Sequence, residues 1–199
     1  DVEAFLDEVR SSPDYANQMV YVRRCAAREA SFADPARPLS AAASRVLRAR
    51  GIERLYSHQA RALDAIREGR DVLIATGTAS GKSLCYVLPI AEMLEACPAD
   101  RAALLFPTKA LSQDQFRGFR QAMEAGGLGH VLAGVYDGDT PSPLRRKLRD
   151  RASALFTNPD MLHAAMMPQH GRWAEMLSRL KLLVIDEIHV YNGMFGANM

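Results

Sequence analysis

The 199-residue sequence is poor in cysteine, poor in lysine, nearly without tryptophan and free of any long apolar run. Each shortage excludes something. Cys25, Cys85 and Cys97 stand far apart with no Cys-x-x-Cys pair, so neither a disulfide framework nor a cysteine-rich metal site is built. A reducing cytosol fits that usage. His58, His130, His163 and His170 show no ligand spacing with cysteine or carboxylates, and no zinc site is expected. No run of eighteen apolar residues occurs, which excludes a membrane-spanning helix. The net charge is only +2, so bulk electrostatics give no argument for a nucleic-acid partner and only local clusters can. Arginine outnumbers lysine 21 to 4 beside 31 alanines, a bias compatible with a GC-rich bacterial genome. The chain opens on Asp1-Val2-Glu3-Ala4, neither a signal peptide nor an initiator methionine. The expectation is a cytoplasmic bacterial protein, and a piece of something longer.

What is present suffices for one domain with an appendage. Residues 1–51 are expected to form a helical and extended appendage. It has a short helix at 1–12 with Val2, Phe5, Leu6 and Val9 on one face, and an extended arm containing the β-like run Met19–Val22. Ser40–Arg50 predicts a helix stopped by Gly51, and Ser57 is placed to cap another. From Asp71 onward, short apolar runs alternate with helical patterns. Strands are predicted at 71–75, 102–106, 130–135, 154–157 and 182–185, and helices at 82–96 (open to a bend at Pro89), 109–125, 141–151 and 173–179. Short, fully apolar strands of this kind imply an α/β fold with a mostly parallel sheet and helices on both faces. In such sheets ligands sit beyond the carboxyl ends of the strands.

Two motifs fall there. After 71–75 comes Thr76-Gly77-Thr78-Ala79-Ser80-Gly81-Lys82-Ser83, a P-loop in its required context of strand, glycine-containing loop and helix. Gly77 and Gly81 allow close backbone approach, and the loop amides with the helix N-terminus can face phosphate oxygens. Lys82 supplies charge to the β- and γ-phosphates, and the Ser83 hydroxyl is placed to hold Mg²⁺. Thr76 departs from the usual first Gly or Ala. After 182–185 come Asp186, Glu187, Ile188 and His189, a Walker B arrangement. Asp186 would hold Mg²⁺ and Glu187 would orient and deprotonate the attacking water. Adjacent carboxylates after a buried strand are costly unless they meet a cation or water. His189 either relays between the two ligand sites or satisfies a local hydrogen bond.

Together these motifs resemble motifs I and II of superfamily 2 helicases of the DExH type. Gln59, seventeen residues before Thr76, falls where that family's Q motif reads adenine. Its amide can pair with the adenine edge in two hydrogen bonds, although a surface glutamine on a capped helix would look the same. Phe106–Gln115 resembles motif Ia, with Ala110 and Asp114 departing from the DEAD-box form. Thr157–Leu162 resembles motif Ib, and Tyr136–Thr140 the intervening glycine-containing loop. The combination over about residues 52–199 is similar to the bacterial mitomycin-repair-factor-A branch, related to the RecQ4-like DNA helicases. The resemblance implies a RecA-like P-loop NTPase lobe at 52–199, with ATP and Mg²⁺ as cofactors and DNA (single strand or duplex junction) as partner. It also implies 3′→5′ translocation, a repair role, a second RecA-like lobe and a C-terminal cysteine-rich region.

In such a motor Thr108, Lys109, Gly138, Thr140, Thr157 and Asn158 become candidate contacts to the nucleic-acid backbone, reading no sequence. The basic run Arg145-Arg146-Lys147, with Arg149 and Arg151, is either a solvated face or a nucleic-acid patch. Trp173 either packs in the core or stacks on a base. The alternatives for function are an RNA helicase or remodeller, a P-loop kinase, and a non-catalytic ATP-dependent module. The sequence Asp-Glu-Ile-His and the departures in motif Ia favour DNA. The lobe is expected to be truncated after Walker B, since the chain ends ten residues after His189. Alone it is expected to bind nucleotide weakly and not to unwind.

Overall fold

Four short strands, all paired in parallel, carry the architecture of the computed structural model, which describes residues 1–24, 29–77 and 80–192. They are β1 (Arg101–Leu105), β2 (Ala133–Val135), β3 (Ala154–Thr157) and β4 (Leu180–Ile185), in the order β2-β3-β1-β4. In β1, Leu104 sits opposite Phe156 of β3 on one side and Val184 of β4 on the other. Parallel neighbours need crossovers, and the helices supply them. Those between strands are α5 (Lys109–Ala125), α6 (Ser142–Arg151), and α7 (Pro159–Met161) with α8 (Ala174–Ser178), while α2 (Ala41–Ala49), α3 (Ser57–Arg67) and α4 (Leu84–Ala96) precede β1.

Side-chain alternation along the strands splits the core in two, as a sheet covered on both faces requires. Ala102, Leu104, Phe106, Ala154 and Phe156 pack with apolar residues of α2 to α5. Ala103 and Leu155 belong to a second cluster with Leu148 of α6 and with Met166, Trp173 and Met176. Trp173 is 2% exposed and meets Tyr136 edge to face at 4.9 Å. It is a packed aromatic rather than a base-stacking surface. Between α7 and α8 the chain runs through a π-helical turn (Leu162–Met166) and a 3₁₀ segment (Met167–Trp173).

The compact unit begins at Ser31, twenty-one residues before the lobe expected at 52. The reason is α2, whose Ala42, Ala43, Val46 and Leu47 are all buried in the main core. Carboxylates of α4 also satisfy the orphan amides at its start: Ser40 donates to Glu92 at 3.0 Å and Ala42 to Glu95 at 3.0 Å. Gly51, with φ +64°, ends it as the sequence predicts. The unit Asp1–Ala30 holds helix α1 (Val2–Ser11), capped by Asp1 and joined by an Arg24–Glu3 ion pair at 3.0 Å. None of its helical residues is buried, and Met19–Val22 is not a strand, with Val20 93% exposed.

The largest departure is Asp71–Ala75. This apolar run is no strand; Leu73 is 78% exposed. Hydrophobic composition asks for burial, but a strand also needs a ladder partner. The sheet ends at β4, whose residues Lys181, Leu183 and Ile185 are exposed, and none of 71–75 pairs with it. The strand expected at 130–135 is confined to Ala133–Val135.

Candidate functional site

Three stretches distant in sequence carry the candidate nucleotide-binding side chains: the end of α3's first turn, the loop before α4, and the turn after β4. In the loop, Thr76 and Ser80 close on each other through their hydroxyls at 2.7 Å. Lys82 folds across it, donating to the carbonyls of Thr76 at 2.8 Å and Gly77 at 3.3 Å. These ammonium donors are mobile on a four-carbon stem and suited to phosphate oxygens. Ser83 stands at the start of α4 without a side-chain capping bond, so its hydroxyl is not committed to the helix. Thr78 and Ala79 lie outside the described residues.

Gln59 is 2% exposed, not on the surface. Its Oε1 accepts from the Tyr56 amide at 2.9 Å and its Nε2 donates to the Gly81 carbonyl at 2.9 Å. The start of α3 is therefore capped by Gln59 behind Tyr56, not by Ser57 as expected. The same amide fixes the loop. Gly81 has φ +73°, which favours glycine, and a Cβ there would stand 2.6 Å from Gln59 Nε2, so the amide would have to give up its place. A stacked series of Phe32, Tyr56 and His58 adjoins this contact, with Arg54 over the Phe32 ring at 5.1 Å. Nothing in an arm of prolines and alanines marks Phe32 as one of an aromatic pair 24 residues apart.

Beyond β4, the Asp186 amide donates to Leu105, continuing the ladder by one bond. Asp186 is half-buried. Burial pushes its carboxyl above the usual range, the Glu187 amide and the Lys82 ammonium pull it down, and the Glu187 charge pushes it up. Burial, and after it the Asp186 charge, raises the hydroxyls of Tyr86 and Tyr191, the latter to about 12. A desolvated carboxylate in the field of a lysine and a second acid is suited to a hard cation, which would offset its lost hydration. Glu187 has φ +50°, a left-handed conformation rare for a residue with a Cβ. Its carboxylate lies 3.3 Å from His189 Nδ1, and both side chains are partly or largely exposed. His189 thus has the local partner that the sequence left open.

The raised Asp186 pKa makes a prediction. The folded state holds this proton more tightly than the unfolded chain, so Asp186 costs stability as pH rises through its folded pKa. Asp186→Asn is expected to raise the thermal midpoint at neutral pH and to shrink the loss of stability between acid and neutral pH. An unchanged profile in a pH series of melting curves would remove the desolvation argument.

The second candidate surface lies at the carboxyl ends of β1, β2 and β3. Thr108 caps α5 by accepting from Leu111, and Asn158 caps α7 by accepting from Met161, each with a partly or fully exposed side chain. Gly138 is exposed. Lys109 is held at 2.6 Å by Asp139, so one loop's carboxylate lies on the other's ammonium. Thr140 and Thr157 are not surface contacts. Thr157 is 1% exposed and donates to Tyr136, while the Thr140 hydroxyl is buried against Val135 and Asp137. They brace the loop from inside. Arg145 clamps it from outside, donating to the carbonyls of Asp137, Gly138 and Thr140, each at 2.8 Å. Arg145 therefore leaves the basic run that sequence alone grouped it with.

Comparison with known proteins adds to this geometry. The family model for DEAD/DEAH box helicases matches residues 56–199. The Bacillus subtilis "uncharacterized ATP-dependent helicase YprA" is 42% identical over 150 residues, 75% of this chain and 20% of that protein. The Saccharomyces cerevisiae "ATP-dependent helicase HRQ1" is 36% identical over 199 residues, 100% of this chain and 18% of that protein. The chain thus spans about a fifth of the length of these curated relatives. The structure of the DUF1998 helicase MrfA bound to DNA and AMPPNP superposes with a TM-score of 0.81 at 39% identity, covering 85% of this chain and 24% of that one. The fold is RecA-like, as the sequence predicts. Among the described residues no helix is long and apolar enough to cross a membrane, and no cluster of metal-ligating side chains occurs apart from the acid pair.

Proposed function

The chain belongs to the DEAD/DEAH box helicase family, and from that premise we propose that it is the ATP-binding first motor lobe of an ATP-dependent DNA helicase or translocase. The observation that carries the reading is that the loop holding Lys82 and the turn holding Asp186 lie near enough for the charge of one to act on the other. They are 104 residues apart in sequence, yet the ammonium acts on the acidity of the carboxylate. A phosphate-binding loop and an acid pair brought to one place can bind the triphosphate of ATP and its Mg²⁺. Mg²⁺ would be held by Ser83 and Asp186 and would neutralise charge on the phosphates. Glu187 accepts a proton from water, Lys82 turns from its loop carbonyls to phosphate oxygens, and Gln59 keeps the loop in register. In this structure both ends of the Gln59 amide are engaged by protein, so its role is to hold the loop that holds the nucleotide.

DNA as the strand partner is supported by the relative whose structure contains DNA and by the departures from the DEAD-box form of motif Ia. A repair role, a second RecA-like lobe and cytoplasmic location belong to the same proposal. The two candidate loops, Thr108–Lys109 and Asp137–Thr140, would touch backbone phosphates, with Asp139 yielding Lys109 to them. Coupling of hydrolysis to movement needs two lobes whose relative position follows the nucleotide. The test is phosphate release by a chain extended through a second lobe, with single-stranded DNA, duplex DNA or RNA added. Stimulation by DNA is expected; stimulation by RNA alone would transfer the reading to an RNA helicase or remodeller. Hydrolysis indifferent to both would end it.

A further inference from the structure

We propose that the cleft lined by Arg146, Arg149 and Arg172 is a phosphate seat, which takes the backbone of a nucleic acid beyond the two loops already described. It rests on the nucleic-acid reading above and adds to it a site outside the helicase motifs. The cleft measures about 460 Å³. Its walls are α6, which contributes Arg146 and Arg149, and the 3₁₀ segment, which ends next to Arg172 at Trp173.

Each wall springs from one of the candidate nucleic-acid loops. Helix α6 follows Asp137–Thr140 directly, and the segment 159–173 follows Thr157–Asn158. A strand engaged by those loops thus has this cleft on the elements that continue from them. Helix α6 carries five basic residues against one acid, Asp150. Arg145 is spent on clamping the loop, which leaves the others for solvent or a ligand.

The three guanidiniums are underused. Arg149 gives its Nε to Asp150 at 2.7 Å, and Arg172 gives Nη1 to Gln169 at 3.1 Å. Each retains further N–H donors, since a guanidinium carries five. The Arg146 side chain makes no hydrogen bond or ion pair among the described residues, although its charge acts on Asp150. Three cations border one cleft with a single carboxylate beside them, so an arriving anion meets more positive than negative charge. A phosphate suits the planar fork of arginine better than a lone carboxylate does, because two N–H groups can meet two oxygens.

The seat is also built on rigid ground. Arg149 follows Leu148, which is 1% exposed and packs on Gly134 so closely that a Cβ there would stand 2.6 Å from it. Arg172 precedes Trp173, which is locked against Tyr136. The arginine stems therefore leave the protein at fixed points, while their heads remain free to adjust. The sequence contained the signal as a basic run, but could not show that Arg172, from another element, joins it or that Arg145 does not.

The test uses the chain extended through a second lobe, comparing it with its Arg146→Gln/Arg172→Gln variant and with a charge-matched control, Arg117→Gln/Arg120→Gln on α5. Binding of fluorescein-labelled dT20 and of a 20-base-pair duplex is followed by anisotropy across a salt series, and folding is checked by melting curves. Each lost phosphate contact on a single strand lowers the slope of log affinity against log salt by about 0.7. The cleft variant is expected to lose about 1.4 of slope on dT20 and on the order of tenfold in affinity near 0.1 M salt. The control is expected to lose neither. A cleft variant that binds like the control overturns the seat while leaving the nucleic-acid reading intact. A wild-type chain that binds neither probe overturns both. Equal competition by polyglutamate at matched charge would show a general acid-binding surface and likewise overturn the seat.

Discussion

Glu187→Gln is expected to lower ATP hydrolysis by about 10²–10⁴-fold, the usual contribution of a positioned general base, while leaving nucleotide affinity nearly unchanged. The residue keeps its shape and loses only the ability to take a proton. The backbone adds a second argument. At φ +50° a side chain with a Cβ costs about 1–2 kcal/mol, which glycine would not. Glu187→Gly should therefore stabilise the fold by about 1 kcal/mol and abolish hydrolysis as fully as glutamine does. A position where stability and activity demand opposite residues is one where the carboxylate is kept for its chemistry. The check is phosphate release by a two-lobe chain beside melting curves of the 199-residue one. Hydrolysis by the glutamine variant at the unsubstituted rate would leave Glu187 without a role in the proton transfer, and a destabilised glycine variant would remove the strain argument.

Much of this was legible in the residues because the informative features are local. A glycine-containing loop ending in Lys82-Ser83 and an apolar run ending in Asp186-Glu187 are short signals with a physical reason for each residue. Strands β1, β3 and β4 and helices α2 to α6 fall near their predicted places for the same reason, since periodicity reports on one element at a time. What escaped depends on neighbours far away in sequence. Asp71–Ala75 has the composition of a strand, yet no ladder partner meets it. Thr140 and Thr157 have the chemistry of phosphate contacts, yet the Tyr136 carbonyl and the Asp137 loop consume their hydroxyls inside the protein. Gln59 has the chemistry to pair with an adenine edge, yet its amide is held by Tyr56 and Gly81. Residue type offered a candidate role in each case, and the hydrogen-bond partners decided what the side chain does in the fold.

Phe156→Ala is expected to destabilise the fold by about 3–5 kcal/mol, the range for removing a buried aromatic ring. Phe156 is fully buried on β3, the strand between β2 and β1, and three other phenylalanines touch it. Phe106 stacks at 5.7 Å, and Phe116 and Phe119 meet it at steep angles at 5.4 and 5.2 Å. Truncation would remove the common partner of all three rings, and α5 and the β1 end could not close on the space without leaving their own contacts. Phe156→Leu keeps most of the volume and should cost far less, about 1–1.5 kcal/mol. The ring also stands next to Thr157, whose hydroxyl holds the Tyr136 carbonyl at the base of the Asp137–Thr140 loop. Loss of the ring should therefore weaken nucleic-acid binding even where the chain remains folded, whereas Leu should preserve it. Urea unfolding of the two variants measures the first effect and anisotropy with dT20 the second. An alanine variant as stable as the leucine one would show that the four rings do not form the keystone between the sheet and α5, and the loop would then need another support.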